Sequence, residues 1–149
     1  MSNRLYIRGT TAAPLPVSFE AVARAAVARW GSAATVVRRR PPFHVELEVQ
    51  VDPPGGSGFQ IDYLHTRTAI STDALPDRWP EVAAWVRALV PDDGHRLIAF
   101  DAAMTLHVEL LPGMRPADVA SAVVDHGTPG WEERAPEVAA LLGRGDRSP

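Results

Sequence analysis

The chain contains no cysteine and no lysine: all 15 of its basic residues are arginine. Without cysteine there can be no disulfide, thiolate metal site, iron–sulfur cluster or cysteine nucleophile. Without lysine there is no Schiff-base chemistry and no phosphate-loop lysine. A GC-rich genome, which favours Arg, Ala, Pro and Gly codons, accounts for the bias, and the exclusions hold whatever its cause. No apolar run approaches the roughly 18–20 residues that a membrane-crossing helix needs. A basic excess is missing too. Net charge is −3 and the only basic cluster is Arg38-Arg39-Arg40, followed at once by Pro41-Pro42. Nucleic-acid binders use such an excess to displace counterions, so no nucleic-acid partner is expected, and the three arginines read as a solvated strand end. Met1-Ser2-Asn3-Arg4 opens no signal-peptide core, which makes the cytoplasm the expected location.

What is present describes an ordinary folded domain. At 149 residues, with 46% hydrophobic and 22% charged residues, the chain has the size and composition of a single soluble unit. We expect one domain over residues 1–142 and a disordered polar tail over 143–149. The tetrapeptide His-Val-Glu-Leu occurs twice, at His44–Leu47 and His107–Leu110, each time closing a β-α-β-β run. The heptapeptide pattern Arg-x-Pro-Glu-Val-Ala-Ala also recurs, at Arg78–Ala84 and Arg134–Ala140. Duplication would explain both repeats, although the second is also a simple way to open a helix.

Leu5-Tyr6-Ile7 reads as a strand. Ser18 is a candidate N-cap for a helix whose apolar stripe is Phe19, Val22, Ala23, Ala26, Val27 and Trp30, with Gly31 placed to end it. A strand begins at Thr35. From Phe43 the pattern alternates strictly, with Val45, Leu47, Val49 and Val51 on one side and His44, Glu46, Glu48 and Gln50 on the other. After the Asp52–Gly58 turn, Phe59, Ile61 and Tyr63 resume the apolar side in a strand drawn on through Ile70. Asp77 can cap a second helix with Val82, Trp85, Val86 and Leu89 as its buried stripe. Leu97–Phe100 and Thr105–Leu111 are two more strands, followed by helices at Arg115–Asp125 and from Arg134 through Leu142. The expected fold is therefore two-layer α+β: an antiparallel or mixed sheet of five to six strands, helices on one face, in the order β-α-β-β-β-α-β-β-α-α.

The polar face of that sheet carries the candidates for function: His44, Glu46, Glu48, Asp62, His107 and Glu109. Two histidines and a carboxylate from adjacent strands could hold a divalent metal. His-x-Glu along one strand, however, leaves its side chains about 7 Å apart, and no spacing motif fixes a coordination shell, so neither metal nor cofactor is expected. The face reads instead as hydrated or partner-binding, and its carboxylates would suit a basic protein. Trp30 and Trp85 lie on apolar stripes and are expected in the core. Trp79 and Trp131 sit at helix approaches, where partial exposure would let one anchor a partner. Gly55-Gly56-Ser57-Gly58 lacks a following lysine, Asp92-Asp93-Gly94-His95 reads as a helix stop, and Arg144-Gly145-Asp146 as chance.

Phe43–Val49 looks like the metal-bearing first strand of vicinal-oxygen-chelate enzymes, but a glycine turn and one further strand follow it, which is out of place for that module. A different resemblance covers more of the chain. A short Tyr-containing strand and a helix are followed by a strand such as Gly58-Phe59-Gln60-Ile61-Asp62. A second helix and a strand such as Gly94–Asp101 complete an order similar to that of small bacterial immunity proteins of polymorphic-toxin systems. The resemblance implies a non-enzymatic protein-binding module of immunity or regulatory type, and it transfers no individual residue. The alternatives are a small enzyme or small-molecule binder with a pocket between sheet and helices, marked by His65 or Tyr63 beside a perturbed carboxylate, and a structural adaptor.

Overall fold

The computed structural model describes residues 3–143. Its strands are β1 Leu5–Gly9, β2 Ala34–Arg38, β3 Val45–Val51, β4 Phe59–Leu64, β5 Ala69–Thr72, β6 Leu97–Asp101, β7 Leu106–Leu110 and β8 Val124–Asp125. Its α-helices are α1 Phe19–Trp30, α2 Trp79–Leu89, α3 Pro116–Ser121, α4 Trp131–Arg134 and α5 Pro136–Leu141. The class is α+β, but the expected five to six strands are corrected to eight in one sheet, ordered β2-β3-β4-β5-β1-β6-β7-β8. All seven pairings are antiparallel. Two local features account for the higher count. The strand drawn through Ile70 is broken by a turn that contains no glycine, because Arg67 takes a left-handed φ of 59°. The helix drawn to Asp125 stops at Ser121, and Val124–Asp125 joins β7.

Helix α1 begins as its sequence dictates. The Ser18 hydroxyl accepts from the Ala21 amide at 3.0 Å, and Gly31 ends the helix at φ 58°. Val22 and Ala26 are buried against the sheet, whereas Val27, expected in the stripe, is 51% exposed. Helix α2 is rotated from its expected face. Trp79, Val82, Ala83, Ala84, Val86 and Arg87 are buried, while Trp85 and Leu89 are half-buried. Trp85 packs on Trp30 with ring centroids 4.9 Å apart. The rotation follows from α2 contacting both the sheet and α3, so that two sides of the helix lose water.

The expectation that helices occupy one face is also corrected. The main core lies between the sheet and α1, α2 and α3, with Leu5, Ile7, Leu47, Val49, Ile61, Ile70, Leu97, Val108 and Leu110 among its residues. Helices α4 and α5 pack on the opposite face at the β6–β8 end, where Trp131, Val138 and Ala139 cover Ile98. No helix among the described residues is long and apolar enough to cross a membrane. Apart from Gly143, the expected tail lies outside the described residues.

Candidate functional site

Residues directly opposite one another on neighbouring strands share a face, and the register defines one row across the whole sheet. It runs Val37, Glu48, Asp62, Ser71, Tyr6, Phe100, His107, Val124. Three sequence candidates, Glu48, Asp62 and His107, therefore do lie on the face away from α1 and α2. They are not one site. Four strand steps separate Asp62 from His107, about 19 Å at the usual strand spacing. His44 lies exposed in a bend before β3, Glu46 sits at the irregularity between Val45 and Leu47, and Glu109 falls one row away, opposite Ile98. Among the described residues, no three His, Asp or Glu side chains are grouped so as to hold a metal ion.

Each acidic candidate has an arginine. Arg39 donates to Glu48 at 2.7 Å, Arg38 pairs with both Glu46 and Glu20, and Arg96 pairs with both Glu109 and Glu137. Asp62, 7% exposed, accepts from Arg4 at 2.8 Å and from Gln60 at 2.7 Å, and Arg4 also reaches the Ser71 hydroxyl at 3.1 Å. Burial, together with the nearby Glu48 charge, still pushes the Asp62 carboxyl up, against the pull of Gln60 and Arg4. Interleaved arginines thus explain why the sheet tolerates neighbouring carboxylates such as Glu48 and Asp62. The acidic field that would have steered a basic partner is largely neutralised from within.

His107 belongs to a different arrangement. It is 3% exposed, and its Nδ1 lies 2.8 Å from Nε2 of His126, whose Nδ1 lies 2.8 Å from the Met104 carbonyl. A carbonyl can only accept, so His126 carries its proton on Nδ1, and in the neutral pair His107 donates to the bare Nε2. His126 stacks on Trp131 at 4.0 Å and 9°. Burial, then the neighbouring His126, holds the His107 pKa below its ordinary value, against a smaller pull from Glu109. Trp131 is only 1% exposed and Trp79 only 7%, with its Nε1 donating to the Ala74 carbonyl at 2.8 Å. Their expected partial exposure is corrected: each indole is an internal anchor.

The markers of an enzymatic pocket are also placed elsewhere. Tyr63 is fully buried and donates to the Val17 carbonyl at 2.8 Å; burial pushes its phenol up to about 12. His65 is exposed on the β4–β5 turn, with Nδ1 3.2 Å from the His44 carbonyl.

Sequence reasoning passed over the middle of the row. Between the polar network at Asp62 and the helices at Trp131, Tyr6 and Phe100 stack with centroids 5.8 Å apart at 21°. With Arg8, Ala12, Leu64, Thr68 and Ala69 they line a trough of about 330 Å³. Arg8 spends its Nε on the Gly9 carbonyl at 3.1 Å and makes no ion pair with a described residue. The period-two pattern of β1 was the available signal: Tyr6 alternates with Leu5 and Ile7, which are buried on the other side. No family model, curated protein or solved structure matches the chain.

Proposed function

We propose that the chain is a non-enzymatic protein-binding module, of immunity or regulatory type, that receives its partner on the uncovered part of the sheet. The observation that carries this reading is the half-exposed Tyr6–Phe100 stack at the centre of the row, bordered by the Arg4–Asp62–Gln60 network on one side and α4–α5 on the other. Aromatic side chains beside satisfied polar groups are the usual composition of a binding hot spot. Among the described residues the same region assembles no nucleophile–base pair, which supports binding over catalysis. The order-level resemblance to immunity proteins points the same way.

Site-specific photo-crosslinking in the producing cell tests the reading. A crosslinker at Ala12, on the trough, should capture one discrete protein, and the same group at exposed Ala88 on α2 should not. Tyr6→Ala should then weaken the captured pair by about 2 kcal/mol, as removal of a hot-spot aromatic does. Adducts from Ala88 alone, or equal adducts from both positions, would move the interface to the helical face.

A further inference from the structure

The opposite layer contains a second concavity, with different chemistry. Residues of α2, α3 and the sheet together enclose part of a hollow of about 320 Å³. Its floor is Leu5, Ala99 and Val108, which are at most 3% exposed, and its walls are Trp79, Ala83 and Val119. Pro76, Ala120 and Val123 stand at the mouth, where Val123 is 41% exposed. All 11 lining residues are apolar.

The two buried polar side chains beside it are already engaged. The Trp79 indole N–H is held by the Ala74 carbonyl. Asp101, two residues beyond Ala99 on β6, is fully buried and accepts from Asn3, from the Thr105 amide and hydroxyl, and from the Leu106 amide. Burial alone would raise its pKa, and those hydrogen bonds hold it below the ordinary carboxylate value instead. Protein interiors pack with few voids larger than a water molecule. Here, small alanines stand at three positions where a leucine would close the gap. A hollow whose floor has so few hydrogen-bonding groups holds water poorly there and favours apolar molecules. Its size falls at the lower end of the range of small-molecule sites.

We infer that this hollow is a binding site for a small, uncharged, apolar molecule of about one ring. The class follows from the lining. A charged or strongly polar ligand would be desolvated there without a partner. A peptide could offer a hollow of this size only a single side chain. The site is independent of the Tyr6–Phe100 trough, because the sheet lies between them.

The test uses the full chain, with toluene as probe and benzoate as its charged counterpart, read by methyl NMR. Toluene should shift the methyl resonances of Ala99, Val108 and Val119 saturably and raise the melting midpoint. Benzoate should bind at least about tenfold more weakly, because its carboxylate would be buried unpaired. Ala99→Leu should remove the toluene shifts by filling the floor. Ala120→Phe, at an exposed position that does not endanger folding, should remove them by blocking the mouth. Unmoved methyls at saturating toluene would overturn the proposal. So would shifts that survive in Ala120→Phe, or equal binding of benzoate.

Discussion

His107 makes burial measurable as a pH dependence. In the unfolded chain its imidazole titrates near the ordinary value of about 6.5; in the folded chain burial and His126 hold it lower. Well above that value neither state carries the proton, so His107 contributes no pH dependence there. Below it the unfolded state binds a proton that the folded state resists, and stability falls with pH until the folded pKa is reached. Urea midpoints should therefore decline from pH 7 toward pH 5, and His107→Gln should flatten that decline. A pH dependence that His107→Gln leaves unchanged would refute the assignment, since the raised Asp62 carboxyl contributes with the opposite sign at the acid end of this window. Arg87 is the converse case. It is 2% exposed, its Nη1 donates to the Val90 carbonyl at 3.0 Å, and its buried Nε has no hydrogen-bond partner among the described residues. Its position in the last turn of α2 places its charge against the negative end of the helix dipole. Nothing in the sequence distinguished Arg87 from the exposed arginines, because its burial depends on how α2 and α3 meet.

The helices separate what periodicity encodes from what packing decides. Helix α1 was legible because it has one wet side: Ser18, the Val22–Ala26 stripe and Gly31 are local signals, and they define its ends and most of its buried face. Helix α2 was misread in orientation because it meets both the sheet and α3, and the C-terminal helices were assigned to the wrong face of the sheet because no local pattern says which face a helix returns to. The tryptophans changed roles as a result. Trp131, the anchor of α4, is 1% exposed against Ile98, His107 and His126, whereas Trp85 is half-buried against Trp30. Trp131→Ala should cost about 3–5 kcal/mol, the usual loss for a fully enclosed aromatic. Trp85→Ala should cost about 1–2 kcal/mol, since part of its surface already meets water. Chemical denaturation of the two variants decides the order. A larger loss for Trp85 would mean that α4 is not held by its indole.

Lateral strand order is the part of the fold that no local pattern could reveal. Period-two alternation assigned Glu48, Asp62 and His107 to the correct face, but it carries no information on which strand lies beside which. The insertion of β1 between β5 and β6 separates those residues and brings Tyr6 beside Phe100. That insertion also sets the cooperativity expected of the fold. β1 is bonded on one side to a strand more than 60 residues away and on the other to one about 90 away, as Ile7↔Ile70 and Ile7↔Ala99 show. Its amides can open only when the centre of the sheet opens. Helices α4 and α5 instead rest on one face through Ile98, Trp131, Val138 and Ala139, a satellite of the main core. Such an appendage should open locally at a lower free energy than the whole. In native-state hydrogen exchange, the Ile7 amide should report global unfolding, with a steep dependence on denaturant. The Ala139 and Leu142 amides, bonded to the Ala135 and Val138 carbonyls, should exchange by a smaller opening that denaturant barely affects. If they share the free energy and slope of Ile7, the C-terminal helices belong to the same cooperative unit, and the edge of the open face is as rigid as its centre.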